Sequence, residues 1–479
     1  MPSVPNTRPA ASGPIRDLVW LRADLRAADN RALHAAESPR AALFVLSPGD
    51  WRRHDDAPAR IDLILRTLSR LSETLQALNI PLLVRSAATP DDVPRAVARA
   101  AGELGARRVL WNDEYPINER RRDDAARRLL TAAGIEVRTF TDRVILAPGS
   151  VLTGSDTPYT VFTPFKRAWL ERLHETDWQP VGTPRAQSPT GVASDPVPAA
   201  VEGFDSPIDP ALWPAGEAEA RRRLERFCSG AIARYAHDRD FPALDGTSTL
   251  SPSLAIGAIS PRQCLAAAAE ANRGRIDAGT TGPATWMSEL IWREFYTHVM
   301  AAFPRVSMGR AFKPATDRIR WIDDPARLRA WTQGRTGFPI VDAAMRQLAA
   351  TGWMHNRLRM IAAMFLTKDL FLDWRLGERH FMRSLVDGDF ASNNGGWQWS
   401  ASTGTDAAPY FRIFNPASQS ARFDASGEFI RRWVPELSRV EGDDIHDPPP
   451  LVRSRVDYPL PIVDHKRAAE LAKSAFKSL

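Results

Sequence analysis

The chain has 479 residues, too many for one ordinary hydrophobic core, so two or three domains are expected. Its 44% hydrophobic and 25% charged residues are typical of soluble globular proteins, and no apolar run approaches the roughly 20 residues of a membrane span. The formal net charge of +6 permits a polyanionic partner without requiring one, since arginine codon bias explains it equally well. With only Cys228 and Cys264, the chain excludes a disulfide framework, a four-cysteine zinc site and a cysteine-ligated iron-sulfur cluster. Any redox chemistry therefore needs an organic cofactor.

Residues 1–15 are predicted to be a disordered tail, because "MPSVPNTRPAASGP" lacks the apolar core of a secretory signal, and cytoplasmic residence follows. Short apolar runs then alternate with helical patterns: "DLVWL", "AALFVL", "IPLLVR", "RRVLW" and "EVRTF". This alternation predicts an α/β domain over residues 16–145, with a doubly wound, five-stranded parallel sheet. No glycine-rich turn follows the first strand, so a dinucleotide is not expected there.

A long interdomain linker is predicted over residues 146–214, since eight prolines lie between Gln179 and Pro214. Residues 215–479 show helical patterns such as "TWMSELIWREFYTHVMAAF" and "NRLRMIAAMFLTKDLFLDW", with few strand candidates. They predict an all-α domain whose tail is irregular after about Pro435.

Hydroxyl groups precede a predicted helix in "GTSTLSPSLAIGAISPRQC". Thr247, Ser248 and Ser251 stand around Pro252, which suits the first position of a helix. Hydroxyls and free amides at a helix N-terminus form an anion site suited to a pyrophosphate, but simple N-capping explains the same residues.

Charged residues share an aromatic stripe in "TWMSELIWREFY". Trp286, Glu289 and Arg293 recur at helical spacing, and Trp292 lies on a neighbouring face. Aromatic stripes of this kind are usually core, but buried charges are costly unless they are paired or bind a ligand.

Further polar residues accumulate in "TGWMHNRLRM" and "LVDGDFASNNGGWQW", namely Asn356, Arg359, Met360, Asp387, Asp389 and Asn393. Paired aspartates suggest a metal, but no histidine stands at ligand spacing. No metal site is predicted, and the carboxylates are expected to orient arginines and to bind a polar cofactor.

Two tryptophans, Trp397 and Trp399, lie only two residues apart. On a helix they would point about 200° from each other, so one can face the interior while the other lines a cavity. Asn393 would share the face of Trp397. Together with Trp374 and Trp321, these residues could connect the interior to the surface, although four core tryptophans are the plainer alternative.

With these motifs the sequence resembles the photolyase and cryptochrome flavoproteins, most of all the bacterial class I cyclobutane pyrimidine dimer photolyases. The resemblance covers nearly the whole chain, from "LVWLRADLRAADNRAL" to "NNGGWQWSASTGTDAAPYFRIFNP". It implies that the helical domain binds FAD in a folded conformation. The residues that match the family's cofactor-binding positions are Tyr235, Thr247, Ser248, Thr249, Leu250, Ser251, Trp286, Arg293, Asn356, Arg359, Asp387, Gly388, Asp389 and Asn393.

The resemblance also implies a carbon–carbon lyase reaction, in which light excites reduced anionic flavin and one electron splits a cyclobutane pyrimidine dimer in ultraviolet-damaged DNA. Trp321, Trp374 and Trp397 would then be the electron-transfer chain, and Glu289 would stabilise the dimer radical anion. Photolyases are among the base-flipping enzymes, so the dimer would be bound outside the helix. The residues that match positions contacting the dimer or its flanking phosphates are Lys166, Arg239, Glu289, Trp292, Asn356, Arg357, Met360, Trp399, Arg412 and Gln419.

The N-terminal domain is similar to the family's antenna domain. Folate-binding members carry an acidic residue where Pro116 stands, and some have cysteine and lysine in the segment matched by "SMGR" at residues 307–310. The similarity of "NERRRD" still places 5,10-methenyltetrahydrofolate first, with a deazaflavin, another flavin or no antenna as alternatives.

The alternative function is a cryptochrome-like blue-light photoreceptor that binds FAD and a partner without repair. Asn393 stands where photolyases have the asparagine that faces flavin N5, and only a modest tail follows Pro435, so repair is favoured. "NRLRM" lacks the histidines of six-four photolyases, which favours cyclobutane dimers as the substrate. The resemblance implies a monomer, associated with the nucleoid through DNA, with no membrane or obligate protein partner.

Overall fold

The computed structural model describes residues 15–409 and 411–479. The tail predicted over residues 1–15 lies outside the described residues, except for Ile15. That side chain is 1% exposed, and its backbone N–H donates to Leu104 O at 3.2 Å. Ile15 therefore belongs to the folded domain, and the predicted boundary is wrong by one residue.

Five parallel strands form one sheet in the order β3-β2-β1-β4-β5, which confirms the predicted fold. They are β1 Asp17–Leu21, β2 Arg40–Leu46, β3 Leu82–Ser86, β4 Arg108–Asn112 and β5 Glu136–Phe140. Val19 and Leu21 of β1 join the core on one face, while Leu18 and Trp20 join the core on the other. Burial on both faces explains why the central strands are near-continuous apolar runs. The strand order reverses between β1 and β4, which leaves a crevice at the carboxyl ends of these strands.

The described residues also form twenty α-helices. Those of the sheet domain are α1 Arg31–Ala35, α2 Pro48–Arg53, α3 Pro58–Ala77, α4 Val93–Glu103 and α5 Ile117–Ala132, followed by α6 Phe162–His174. Those of the helical domain are α7 Glu217–Ser229, α8 Tyr235–Asp238, α9 Ser251–Ile256, α10 Pro261–Ala271, α11 Thr281–Ala302, α12 Pro325–Thr332, α13 Pro339–Thr351, α14 Asn356–Met364, α15 Trp374–Ser384, α16 Phe390–Ala401, α17 Pro416–Phe423, α18 Glu428–Trp433, α19 Pro450–Arg455 and α20 His465–Lys477. A search of the described residues finds no helix with the length and apolar character needed to cross a lipid bilayer.

Three of these elements differ from the sequence prediction. Helix α6 lies inside the range predicted as linker, and α20 lies in the tail that was expected to be irregular. Asp464 caps α20 by accepting from Arg467 N, and Ala472 is fully buried beside Phe371, so tertiary packing holds this helix in place. A π-helical turn, Phe365–Asp369, separates α14 from α15, where one helical pattern was expected.

A cluster of buried ion pairs joins the two domains through Arg262 of the helical domain. Arg26 Nη2 lies 2.6 Å from Asp142 Oδ2, Arg262 Nη2 lies 2.6 Å from Asp142 Oδ1, and Arg262 Nε lies 3.0 Å from Asp29 Oδ2. The four side chains are at most 2% exposed, and charge-assisted hydrogen bonds in such surroundings fix geometry strongly. Arg262 belongs to α10 and its partners follow β1 and β5, so the helical domain is held against the carboxyl edge of the sheet.

Candidate cofactor and DNA site

Helix α11 contributes to an apolar wall of aromatic rings. Trp286 is 3% exposed, and its ring lies 5.1 Å from that of Phe227, which lies 5.7 Å from the ring of Tyr235. Burial raises the pKa of the Tyr235 hydroxyl, so the phenol stays neutral. The structure thus brings together two predicted cofactor residues, Tyr235 and Trp286, that stand far apart in the sequence.

Glu289, which follows Trp286 on α11, forms an ion pair, as expected for a partly buried charge. Glu289 Oε1 accepts a hydrogen bond from Arg239 Nη1 at 2.6 Å. The residue after Arg239, Asp240, accepts from Arg357 Nη2 at 2.6 Å, and Arg357 also donates to Met360 Sδ at 3.9 Å. Four predicted substrate-binding side chains therefore form one network, with Asp240 as a member that the sequence prediction missed.

Two aspartates face arginines, as the sequence predicts. Arg359 Nη2 donates to Asp387 Oδ2 at 2.7 Å. Asp389 Oδ2 lies 3.3 Å from Arg143 Nη2. Burial opposes ionisation of Asp389, but the guanidinium groups of Arg293 and Arg143 lower its pKa below the ordinary value. Arg143 follows β5, so the sheet domain supplies a cation that no motif of the helical domain revealed.

The hydroxyl-rich segment 247–251 does not cap α9 with its side chains. The helix begins at Ser251, one residue earlier than expected, and its N-cap Leu250 makes no side-chain cap bond. Thr249 adopts φ +46°, and its hydroxyl accepts from Arg223 Nη1 at 2.6 Å. N-capping therefore does not explain these hydroxyl groups, and Thr249 is fixed by an arginine that the sequence prediction missed.

Trp397 and Trp399 lie in different surroundings on α16. Trp397 is 2% exposed, and its ring lies 4.9 Å from that of Phe381 and 6.0 Å from that of Trp331. Trp399 is half-buried and packs at the edge of the same core. This arrangement matches the helical geometry expected of two residues that lie two positions apart.

The three tryptophans of the predicted electron-transfer chain lie around the segment 371–377. Gly377 faces Trp397 so closely that a Cβ atom there would lie 2.1 Å from the ring. Trp374 begins α15 and is fully buried, whereas Trp321 is half-buried with its ring 5.0 Å from that of Phe371. Exposure is therefore greatest at Trp321, which the prediction places at the surface end.

Asn393 is held by the backbone of α15. Its Nδ2 donates to Glu378 O at 3.0 Å, and this bond leaves the carboxamide oxygen to accept from a ligand. The Glu378 carboxyl accepts from Asn394 Nδ2 at 2.7 Å, and burial raises its pKa to about 7. Glu378 stands among the charged residues of "WRLGERHFMRS", and no local feature distinguishes it from them, so the sequence analysis did not select it.

Trp292 has one ring face covered by the protein itself. Phe162 stacks on it with ring centroids 3.6 Å apart and planes at 8°. Phe162 begins α6, and its backbone N–H lies close enough to the carboxylate of Asp406, in the segment after α16, to stabilise its charge. A ligand can therefore reach only the remaining face and the edge of Trp292. The sequence prediction missed Phe162 because only tertiary packing places it against Trp292.

The remaining predicted DNA-binding residues are more exposed. Asn356 and Arg412 are exposed, and Gln419 is half-buried on α17. Lys166 on α6 donates from Nζ to Ser288 Oγ at 2.6 Å, directly beside Glu289. These side chains come from four separate segments, and their exposure suits contact with an external polyanion.

A second region is a cavity of about 380 Å³ between the domains, at the crevice beyond β1 and β4. Its lining includes Trp20, Arg22, Glu114, Pro116, Glu119, Arg293, Ser307, Glu378 and Asp389. Both positions at which the sequence departs from folate-binding proteins, Pro116 and Ser307, thus line the same space. Glu119 Oε2 is buried there without a hydrogen-bond partner among the described residues.

The helical-domain residues fit a large polar and aromatic cofactor such as FAD. Asp387 Oδ1, Trp397 Nε1 and His355 Nε2 are buried without a hydrogen-bond partner in the part of the chain that the structure describes. Buried polar atoms are normally satisfied, so these atoms indicate a ligand with several donors and acceptors. Burial lowers the pKa of Arg293, and an anionic ligand would stabilise its charge. No group of three His, Cys, Asp or Glu side chains suited to a metal ion occurs among the described residues.

Comparisons with known proteins agree with this geometry. Residues 17–185 match the family model described as DNA photolyase, and residues 286–478 match the FAD binding domain of DNA photolyase. A deoxyribodipyrimidine photo-lyase of Vibrio cholerae is 48% identical over 96% of this chain and 99% of its own length. The crystal structure of a bacterial class III photolyase from Agrobacterium tumefaciens has a TM-score of 0.87 and 35% identity over 99% of both chains. A Synechocystis cryptochrome has a TM-score of 0.86 and 26% identity over 96% of this chain and 99% of its own. The chain belongs to the DNA photolyase family and carries that family's FAD-binding domain.

Proposed function

We propose that this protein repairs cyclobutane pyrimidine dimers in DNA in a light-driven reaction. The observation that carries the proposal is the 48% identity, over nearly the full length of both chains, to a relative named deoxyribodipyrimidine photo-lyase. The site supports it, because aromatic, acidic and basic side chains from separate segments converge where a flipped base would need them.

Trp399 and Trp292 offer the stacking surfaces for a flipped dimer. Stacking of a base on an aromatic side chain contributes about 1–3 kcal/mol, comparable to the few kcal/mol of unstacking, and damage lowers that unstacking cost. Phe162 fixes the plane of Trp292 before the substrate arrives, so little ordering entropy is lost on binding. These three rings therefore favour the damaged site over intact duplex.

Glu289 and the arginines give the dimer its orientation. Arg239 holds one oxygen of Glu289, and the carboxylate can accept from the N–H groups of the pyrimidine rings. Arg357 and the exposed Arg412 are cations for phosphates beside the lesion, and such contacts position DNA without reading its sequence. When bound, reduced FAD supplies the light-absorbing group and the electron.

The cofactor residues hold FAD and connect it to the surface. Arg359 fixes the buried Asp387, whose second oxygen accepts from the cofactor, and the carboxamide oxygen of Asn393 is available in the same way. Trp397, Trp374 and Trp321 form an aromatic path from the helical core to the half-exposed surface. That path would deliver electrons from external donors to keep the enzyme in its active redox state.

The interdomain cavity is the proposed antenna site. Its polar lining, with the unpartnered Glu119 carboxyl oxygen and the nearby Arg22, suits a planar chromophore with ring N–H and amide groups. We place 5,10-methenyltetrahydrofolate first. Mass spectrometry of the chromophores released on denaturation would test this, and a deazaflavin or FAD alone would refute the folate assignment.

The function is tested with the reduced holoenzyme and an oligonucleotide that contains one thymine cyclobutane dimer. One half of the mixture is kept dark and the other is lit with blue light, and chromatography counts the restored thymines. Restoration in the lit half alone is the expected result. No restoration with reduced FAD bound would overturn the proposal and favour the photoreceptor alternative, whose fold the Synechocystis cryptochrome shares.

A further inference from the structure

A lysine is fully buried beside the end of helix α16. Lys368 lies in the π-helical turn and is 0% exposed. Its Nζ donates to Ala401 O at 3.1 Å and to Ser402 Oγ at 2.9 Å, and it lies 4.0 Å from the ring centroid of Phe476 in α20. Burying an ammonium group is costly, and these contacts offset part of that cost by hydrogen bonding and by attraction between the cation and the ring. Lys368 is therefore built into a specific site.

The group that Lys368 holds is the turn that ends α16. Ser402 has φ +64°, in the left-handed region that non-glycine residues seldom adopt, so the turn needs support. After it the chain folds back on the helix. Ser402 N and Ala408 N both donate to Trp399 O, at 3.2 Å and 3.3 Å. The segment 402–409 is thus fixed at one end by the ammonium and wrapped around the backbone of Trp399.

The same segment reaches the second stacking residue. The Asp406 carboxylate lies close enough to the backbone N–H of Phe162 to be stabilised by it, and Phe162 stacks on Trp292. Asp406 itself has φ +45°, so its position depends on the support of its neighbours. A continuous set of contacts therefore runs from Lys368 through segment 402–409 to both Trp399 and Trp292.

We propose that Lys368 is a positioning residue for damaged DNA, whose charged ammonium group holds segment 402–409 so that Trp399 and Trp292 keep the spacing that the flipped dimer requires. The inference rests on the proposed function and adds to it a residue that touches neither substrate nor cofactor. It makes dimer recognition depend on the protonation of one buried group.

The charge on Lys368 is sensitive to pH near neutrality. Burial, with help from the cation of Lys313, lowers the pKa of Lys368 to about 7. Lys313 is exposed, and its backbone N–H donates to Thr403 O at 2.9 Å, so it lies next to the same turn. On its own turn, Asp369 is paired with His465 of α20 at 2.5 Å, so that carboxylate does not neutralise the ammonium. Segment 402–409 contains Asp406, whose charge the Phe162 N–H stabilises, and α20 carries Lys473 and Lys477 along with His465.

The test measures dark binding of the FAD-loaded enzyme to a dimer-containing duplex and to the same undamaged duplex from pH 6 to pH 8.5. We expect the preference for the dimer to fall about tenfold across this range with a midpoint near pH 7, because one charged hydrogen-bond donor is lost. Lys368→Met should show the weaker preference at every pH. Ser402→Ala, which keeps the lysine, should weaken the preference at acidic pH.

Two variants separate the pH effect from a structural role. Lys313→Met removes the neighbouring cation and should move the midpoint to higher pH while leaving the preference at pH 6 unchanged. His465→Ala removes another titratable group beside this turn, one whose pKa is raised, and its dimer preference should still fall as pH rises, because Lys368 keeps its contacts with Ala401 and Ser402. A wild-type preference that is flat across the pH range, or a Lys368→Met enzyme with the wild-type profile, would overturn the inference. Absence of any dimer preference at all pH values would instead overturn the proposed function.

Discussion

Replacing Gly377 by alanine tests whether the contact between α15 and Trp397 fixes the inner end of the electron-transfer path. A Cβ atom at this position would lie 2.1, 2.4 and 2.7 Å from three carbons of the Trp397 ring. Ordinary contacts begin near 3.4 Å, so the indole or the helix must move by about 1 Å. The rings of Phe381 and Trp331 pack against Trp397 and restrict the directions in which its indole can move.

The expected loss follows from two opposing effects. Overpacking of a closed core costs about 1–3 kcal/mol, and the short contacts place Gly377→Ala at the upper end of that range. Alanine gains about 1 kcal/mol over glycine within a helix. The net destabilisation is therefore about 2 kcal/mol. Gly102→Ala is the matched control, because Gly102 lies in helix α4 with nothing within 4 Å of the added Cβ, and it should gain up to about 1 kcal/mol.

Urea unfolding followed by circular dichroism measures both variants, and bleaching of the flavin absorbance under blue light with an external donor measures electron delivery. Gly377→Ala should be less stable and should bleach more slowly, whereas Gly102→Ala should bleach like the wild type. A Gly377→Ala protein with wild-type stability and bleaching would refute the claim that Trp397 is confined by α15.

Four further predictions address the site and the C-terminal helix. Trp399→Ala should weaken binding of dimer-containing DNA by about 5- to 150-fold with FAD retained, since one stacking surface is worth about 1–3 kcal/mol; unchanged affinity in a titration would contradict this. Trp321→Phe should abolish flavin photoreduction while chemically reduced enzyme still repairs, and loss of both activities would mean that the tryptophan is structural. Arg359→Ala should lower the free energy of unfolding by about 3–5 kcal/mol and release FAD on gel filtration, because it leaves the buried Asp387 carboxylate unpaired. The control Arg432→Ala breaks an exposed ion pair and should change neither stability nor FAD content. The hydrogen bond to Asp369 raises the pKa of His465, so this pair stabilises α20 fully below about pH 6.5 and loses that effect as pH rises through the raised pKa. Hydrogen-exchange protection of residues 465–477 should fall over the same pH range, and a His465→Ala protein should show no such pH dependence.

The sequence predicted the elements whose signals are local. The central strands β1, β2 and β4 were found as apolar runs because strands buried on both faces are apolar along most of their length, while the edge strand β5 was found as "EVRTF" although it has no buried residue. Pairing of Arg359 with Asp387 was expected because buried carboxylates need cations, and the different surroundings of Trp397 and Trp399 follow from helical periodicity.

Other features depend on contacts between distant parts of the chain, and no local sequence pattern predicts them. Arg143 reaches Asp389 only because the domains are docked, and Phe162 covers Trp292 only because α6 packs on α11. Helix α20 forms in a range that looked irregular because its small residues pack against Phe371. A short amphipathic segment gains most of its helical stability from such packing and little from propensity.

The sequence by itself determined the sheet, the helical domain, the family and the residue types of the site, since hydrophobic periodicity and motifs are local properties of the sequence. The tertiary structure alone decided which charges meet, which ring faces stay open and where the interdomain cavity lies. Lys368 illustrates the physical reason. The cost of burying its ammonium group depends on two acceptors, Ala401 O and Ser402 Oγ, which lie 33 and 34 positions away in the sequence and come close only in the folded chain.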